Sequence, residues 1–195
     1  RLRTLPLSLS GIILGSAIAT LNGFWGLKIF ILAIVTTVLF QVLSNFANDL
    51  GDSQKGTDNK NRVGPTRAVQ SGKLSPKRMK TGVIITTILS LVSASLLIYY
   101  GTQNMTVNFV IGYSILAVLC VLAAITYTIG KKAYGYYGLG DLMVFVFFGI
   151  VSVLGVYSLF SKSFEAIYIL PAATIGLLST AVLNLNNMRD YKNDK

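Results

Sequence analysis

Three polar residues at the end of the second apolar segment have the types and spacing of a cation site. Asn45, Asp49 and Asp52 are separated by four and three residues, so a helix would place them on one face. Carboxylates stacked in this way repel each other unless a cation lies between them. A few oxygen ligands, completed by water and a substrate phosphate, suit Mg2+. The stretch therefore predicts a Mg2+ site that also receives a phosphate group.

A second group of polar residues repeats this spacing near the end of the sequence. Asn186 and Asp190 are four residues apart, and Asp194 follows one turn later. Ionisable residues at the end of an apolar segment are costly and indicate a functional site. Two such groups at one depth of a bundle could hold Mg2+ between them, where the cation would stabilise a diphosphate leaving group. Solvated acidic residues at helix ends are the alternative interpretation.

Basic residues follow the first group and are suited to phosphate oxygens. Arg67 comes after Gly64 and Pro65, a rigid turn that can direct it back towards the aspartates. Lys55 precedes Gly56, which gives the lysine similar freedom to fold over a phosphate. Most other basic residues of this loop are expected to set topology and to contact anionic lipid.

A third polar stretch, Tyr127 to Asp141, contains four tyrosines, four glycines and two lysines. Two interpretations are open. An aromatic belt with snorkelling lysines would need no ligand, whereas a binding site would use the stretch to contact an aromatic acceptor and a diphosphate. Asp141 could orient an acceptor hydroxyl or pair with Lys131 or Lys132.

Membrane helices are the elements that must position these residues. The chain has 195 residues, of which 53% are hydrophobic and only 12% charged, against about 25% charged in soluble domains. Each uncharged segment can cross ~30 Å of hydrocarbon with ~20 helical residues, and open sheets do not survive in lipid. We therefore expect one all-α domain over residues 1–195, a polytopic transmembrane helical bundle with six spans. The predicted spans are Thr4 to Leu27, Ile29 to Asn48, Thr81 to Tyr100, Thr106 to Ile129, Leu142 to Ser161 and Ala166 to Met188.

Basic residues are divided unequally between the two membrane faces. With the Asp49 loop in the cytoplasm, 15 of the 17 Lys and Arg lie on that side and only Lys28 and Lys162 lie outside, as the positive-inside rule requires. Topology and lipid contact then explain the net charge of +10, so nucleic acid is not an expected partner. The chain has no histidine and a single cysteine, which excludes a histidine-based triad and an internal disulfide and argues against zinc.

Together these motifs resemble the UbiA superfamily of intramembrane aromatic prenyltransferases. The resemblance is carried by NDLGD followed by KGTD and RVGPTR, by the opening LRTLPLSLSGIILGS, by YTIGKKAYGYYGLGDLMVFVFFG and by NNMRDYKND. KGTD and the tyrosine-glycine stretch resemble the branch that prenylates 1,4-dihydroxy-2-naphthoate in menaquinone synthesis. Members of the family carry further C-terminal helices, which we expect to be missing from this chain.

The resemblance implies a reaction and its ligands. A polyprenyl group would pass from polyprenyl diphosphate to 1,4-dihydroxy-2-naphthoate with loss of diphosphate and CO2, giving demethylmenaquinol. Mg2+ is the implied cofactor, membrane lipid the surrounding partner, and the bacterial inner membrane the location, with the aspartate loops cytoplasmic. The implied metal ligands and catalytic residues are Asp49, Asp52, Asp190 and Asp194, with Lys55 and Arg67 as further catalytic residues. The implied substrate-binding residues are Asn45, Asn48, Asp58, Arg62, Tyr127, Lys131, Tyr134, Asp141, Asn186 and Asn187.

Three other functions are considered. A related enzyme could prenylate hydroxybenzoate, homogentisate or heme. A divalent-cation transporter would carry its acidic residues near the bilayer midplane, whereas these lie at helix ends. A CDP-alcohol phosphotransferase also uses Mg2+ in the membrane, but the glycine and Ala-Arg positions of its motif do not follow Asp52.

Overall fold

A computed structural model describes residues 4–56 and 66–190, the last of them by its backbone alone. Within these residues the fold consists of helices and connecting turns without any strand, which confirms the all-α prediction. The helices are α1 (Leu5–Leu21), α2 (Leu27–Lys55), α3 (Pro76–Gly101), α4 (Val107–Thr126), α5 (Gly140–Val144), a π-helical segment (Phe145–Val151), α6 (Ser152–Ser161) and α7 (Ile169–Asp190). Short 3-10 helices cover Tyr134–Tyr137 and Ala166–Tyr168.

Five helical segments of the described part are long and apolar enough to cross a membrane. They are Leu27–Lys55, Pro76–Gly101, Val107–Thr126, Gly140–Ser161 and Ala166–Arg189. The predicted count of six is therefore approximate, because the first segment forms a shorter helix of 17 residues. The predicted span from Thr4 to Leu27 is too long. Gly23 follows the helix with a φ of 83°, and the Phe24 N–H donates to the Ala19 carbonyl at 2.9 Å, which closes the helix end.

The polar loop after the second span is shorter than the sequence indicated, because helix extends into it from both sides. α2 continues to Lys55 and ends where Gly56 adopts a left-handed conformation with a φ of 74°, as helix C-termini commonly do. α3 begins at Pro76, and the Ser75 hydroxyl accepts the Arg78 N–H at 3.3 Å, a standard N-terminal cap. Both aspartates of the first motif consequently lie on helix.

Helix packing positions α2, which carries the first motif, and α7, which carries the start of the second. α2 packs along α3 and contacts α1 and α4, while α7 packs against α5 and the π-helical segment. The close approaches occur at glycines. A side chain at Gly15 would meet the Val153 carbonyl oxygen at 2.5 Å, and one at Gly149 would meet the Ala172 carbonyl oxygen at 2.6 Å. The span from α5 to α6 is thus held between α1 and α7.

The two lysines predicted to lie outside the membrane are found together at one end of the bundle. The Lys28 ammonium is 4.3 Å from the ring centroid of Tyr100. The Lys162 ammonium donates to the carbonyl oxygens of Gly101 at 2.5 Å and Leu159 at 2.8 Å. Since Lys28 and Asp52 are 24 residues apart on α2, about 36 Å of helix separates this end from the aspartates.

Candidate functional site

Two buried aspartates on the last turns of α2 form the centre of the candidate site. Asp49 and Asp52 are each 7% exposed. Gly51 lies between them and allows the backbone to approach Thr128, whose hydroxyl oxygen would be 2.6 Å from a β-carbon at this position. The start of the Tyr127 to Asp141 stretch is therefore packed directly against the first motif.

Asp49 binds the backbone of the segment that returns from the polar loop. Its two carboxylate oxygens accept the N–H groups of Ala68 at 2.9 Å and Val69 at 3.4 Å. The segment itself is a turn in which the Ser71 N–H donates to the Arg67 carbonyl at 2.9 Å. Asp49 therefore fixes the position of Arg67 relative to α2.

Arg67 lies against the second aspartate. Its guanidinium forms an ion pair with Asp52 and donates to the Asn48 carbonyl oxygen at 3.1 Å. The two paired side chains are only 9% and 11% exposed. The sequence predicted that Arg67 would be directed back towards the aspartates, and the structure places it there, while its catalytic role stays a prediction.

Tyr136 also contacts Asp52, although its position in the sequence does not distinguish it from the other tyrosines of its stretch. Its phenol O–H donates to the Asp52 carboxylate. The same ring carries the Lys55 ammonium, 3.7 Å from the ring centroid, so this lysine is turned towards the third polar stretch. The four tyrosines indicate from the sequence that this stretch is a candidate site. Which of them contacts Asp52 depends on the 3-10 turn and on its packing against α2.

The two asparagines of the first motif connect neighbouring elements. Asn45 donates to the Thr4 hydroxyl at 3.3 Å and accepts from the Gln41 amide at 3.4 Å. The Asn48 side-chain oxygen accepts from the Thr128 hydroxyl at 3.2 Å. Their described contacts are with this chain's own side chains, and the substrate-binding role that the resemblance implied for both stays a prediction.

The tyrosines predicted to bind substrate form the frame of the third polar stretch. Tyr127 and Tyr134 pack edge to face with ring centroids 5.3 Å apart. The Tyr134 O–H donates to the Ala123 carbonyl at 2.8 Å, and burial, with a smaller effect of Tyr127, raises the pKa of this phenol. Tyr134 is therefore a neutral hydrogen-bond donor rather than a base. Lys131 is exposed.

The far end of the same stretch is attached to α7. The Asp141 carboxylate accepts from the Asn184 amide at 3.2 Å, and the Asp141 carbonyl accepts from the Thr180 hydroxyl at 3.3 Å. Asn186 and Asn187 follow Asn184 in the last turn of α7. The third polar stretch thus contacts α2 through Tyr136 and α7 through Asp141, which joins the helices that carry the two motifs.

Several predicted site residues lie outside what the structure describes. These are Asp58, Arg62, Asp194 and the side chain of Asp190. Among the residues described, no three acidic, histidine or cysteine side chains are grouped closely enough to hold a metal ion. Of the four aspartates predicted to bind a metal, the structure describes the side chains of Asp49 and Asp52. Two buried carboxylates on neighbouring helical turns fit a hard divalent cation in donor type, with further ligands to come from elsewhere.

Comparison with known proteins defines the class. Residues 8–195 match the UbiA prenyltransferase family, so the chain belongs to this family, and its helices make it a multi-pass membrane protein. No solved structure matches it.

Curated relatives extend the comparison. The chain is similar to proteins named 1,4-dihydroxy-2-naphthoate octaprenyltransferase from Haemophilus influenzae (48% identical), Escherichia coli (45%) and Mycobacterium tuberculosis (35%). Each alignment covers 100% of this chain and 63% of the relative. The chain therefore spans less than two thirds of the length of these relatives.

Proposed function

We propose that the complete protein transfers a polyprenyl group from polyprenyl diphosphate to 1,4-dihydroxy-2-naphthoate. The observation that carries the proposal is the buried pair Asp49 and Asp52 with Arg67 against it, at the end of an apolar helix. Carboxylates and a guanidinium together suit a metal-bound diphosphate. The names of the relatives supply the acceptor and the class of donor.

Mg2+ is the proposed cofactor, held by Asp49 and Asp52 together with Asp190 and Asp194 of the second motif. When bound, the cation neutralises charge on the departing diphosphate and orients it. Arg67 and Lys55 would add N–H donors to the diphosphate oxygens. Arg67 is already fixed at this position by its contacts with Asp52 and Asn48.

The bond changes follow from the two substrates. The bond between carbon 1 of the prenyl chain and the diphosphate oxygen breaks, and diphosphate leaves with the electron pair. The electron-rich ring carbon that carries the carboxylate forms the new bond to carbon 1. Loss of CO2 returns an electron pair to the ring and restores aromaticity, giving demethylmenaquinol. The apolar helices exclude the water that would otherwise trap the allylic cation.

The third polar stretch is the proposed acceptor side of the site. Its Tyr136 and Asp141 contact the helices of both motifs, so a ligand between the motifs would lie against this stretch. Tyr127, Tyr134, Lys131 and Asp141 are the proposed acceptor contacts. The remaining proposed substrate contacts are Asn45, Asn48, Asp58, Arg62, Asn186 and Asn187.

We also propose that the protein lies in the bacterial inner membrane with both aspartate motifs facing the cytoplasm. The separation of Lys28 and Lys162 from the aspartate end of the bundle supports this orientation. Single cysteines introduced at exposed positions of the Arg67 to Lys80 stretch should resist membrane-impermeant labelling in intact cells. Labelling from outside would overturn the orientation.

Product analysis tests the proposed reaction. The complete protein in liposomes receives octaprenyl diphosphate, Mg2+ and either dihydroxynaphthoate or hydroxybenzoate, and products are identified by mass spectrometry. The proposal predicts a prenylated and decarboxylated product from the naphthoate alone. A product from hydroxybenzoate alone would show that the proposed acceptor is wrong and that the protein is still an aromatic prenyltransferase.

A further inference from the structure

Tyr136 contacts two charged residues of α2 that lie three positions apart, Asp52 through its O–H and Lys55 through its ring face. We propose that Tyr136 is a positioning residue that keeps the Lys55 ammonium away from the Asp52 carboxylate and so leaves that carboxylate available to a divalent cation. The cation's place in catalysis rests on the proposed function, whereas the effect on cation binding can be measured by itself.

Without Tyr136, Lys55 has an obvious partner on its own helix. Side chains three residues apart are neighbours on a helix surface, and an Asp and a Lys at this spacing attract each other. An ammonium bound to Asp52 would neutralise the carboxylate and compete directly with a metal ion for its oxygens. Asp52 already has one basic partner in Arg67, so a second would oppose cation binding further.

The tyrosine removes this competition with a single neutral side chain. Its ring holds the Lys55 ammonium 3.7 Å from the ring centroid, an attractive cation–π geometry. Its O–H satisfies an Asp52 oxygen and adds no positive charge. A neutral donor of this kind orients the carboxylate while leaving its charge for the cation.

The position of Tyr136 is fixed by the fold around it as well as by its contact with Lys55. Tyr136 lies in the Tyr134–Tyr137 3-10 helix, where its N–H donates to the carbonyl of fully buried Ala133 at 3.2 Å. The same turn is attached to α4 by the hydrogen bond from Tyr134 to the Ala123 carbonyl. The adjacent Tyr137 is 67% exposed and offers a matched control within the same turn.

Cation binding without substrate tests the role. The complete protein in detergent is titrated with Mn2+ as a paramagnetic substitute for Mg2+, and free Mn2+ is followed by electron paramagnetic resonance. Tyr136→Leu should weaken binding about tenfold, equivalent to about 1.4 kcal/mol. Adding Lys55→Gln in that background should restore most of the affinity. Tyr136→Phe, which keeps the ring, should lose less than Tyr136→Leu, and Tyr137→Leu should bind like the wild type.

The rescue by Lys55→Gln separates a positioning role from a general structural one. Wild-type Mn2+ affinity in Tyr136→Leu, or a failure of Lys55→Gln to restore affinity, would overturn the proposal. If Tyr136→Leu does not fold, Tyr136→Ala, which also lacks the ring, and its Lys55→Gln double variant decide by the same comparison. The Mn2+ titration contains no acceptor, so it is independent of the proposed reaction. If the variants show the expected Mn2+ affinities but the naphthoate assay gives no product, the reaction is contradicted and the role of Tyr136 is not.

Discussion

The charged residues at the two ends of the helical bundle have different kinds of partner. At the end of α2, Asp52 is contacted by Arg67 and Tyr136, two side chains from separate loops. At the opposite end, Lys162 contacts backbone carbonyls of two helix ends and Lys28 lies over an aromatic ring. Burial there lowers the pKa of Lys162, since a desolvated ammonium loses its proton more readily.

This difference distinguishes a candidate ligand-binding role at the aspartate end from a helix-capping role at the lysine end. A lysine that donates to helix carbonyls needs no ligand, because the helix end supplies the negative partner. Asp49 and Asp52 also have partners in the fold, from the segment at Arg67 and from Tyr136, but their two carboxylates on neighbouring turns of one helix offer oxygen ligands for a cation, which a lysine cannot do. Variants at the two ends should consequently affect different properties of the protein.

The largest effect is expected from the aspartates. Asp52→Asn preserves shape and removes the charge that would hold a cation, so prenyl transfer should fall by about a thousandfold. Asp49→Ala and Asp190→Ala should also abolish turnover. Initial rates are measured in liposomes with equal amounts of inserted protein. The melting temperature of each variant shows that it is folded. Wild-type rates from any of these variants would remove the metal-site claim.

Arg67→Lys should have the next largest effect. It keeps the positive charge, but the shorter lysine carries its charge on a compact, strongly hydrated ammonium that would not lie where the Arg67 Nη1 contacts both Asp52 and the Asn48 carbonyl. Misplacement of a group at a reacting centre can lower the rate by about a hundredfold, and we expect a loss of this size. Arg78→Lys, at an exposed position in the first turn of α3, is the matched control. Equal rates in both variants would show that charge alone matters at position 67.

Gly51→Ala should mainly reduce stability. The added β-carbon would lie 2.6 Å from the Thr128 hydroxyl oxygen and 2.8 Å from its backbone, so α2 or the third polar stretch must move. Such overpacking typically costs about 1–3 kcal/mol and should lower the melting temperature in detergent. Gly112→Ala in α4, where a β-carbon would have open space around it, should not lower it. A similar loss from both substitutions would contradict the close packing at Gly51.

Lys162→Gln should have the smallest effect, confined to stability. It weakens the hydrogen bonds to Gly101 and Leu159, at a net cost of about 1 kcal/mol because the half-buried ammonium is removed together with its desolvation penalty. The melting temperature should fall slightly, and kcat and KM should stay at wild-type values. A loss of activity as large as that of Arg67→Lys would erase the proposed difference between the two ends.

The helical bundle could be predicted from the sequence because few kinds of secondary structure are stable in lipid. Uncharged segments of sufficient length had to be helices, and the four- and three-residue spacing put Asp49 and Asp52 on one face. The helix ends were harder to predict. α2 reaches Lys55 because Gly56 provides the left-handed cap, and α1 ends early at a turn through Gly23.

The contacts between loops could not be predicted from the sequence. Tyr136 differs from its neighbouring tyrosines by its direction in a single 3-10 turn, where it contacts Asp52 and Lys55 of α2. Arg67 lies against Asp52, but the Gly64 and Pro65 turn predicted to direct it there is outside the described residues. Lys55 lies on an aromatic ring, and its predicted contact with a phosphate stays a prediction. Spacing along one helix predicts which residues share a face, and it carries no information about which residue of another loop lies opposite.

Binding of a polyprenyl diphosphate shows directly whether the α2 end is a metal and diphosphate site. Radiolabelled polyprenyl diphosphate is added to the complete protein in nanodiscs, with and without Mg2+, for the wild type, Asp52→Asn and Lys162→Gln. Saturable Mg2+-dependent binding is expected in the wild type and in Lys162→Gln, and its loss is expected in Asp52→Asn. Equal binding by Asp52→Asn, or wild-type binding that is indifferent to Mg2+, would contradict the assignment of the α2 end as the metal and diphosphate site.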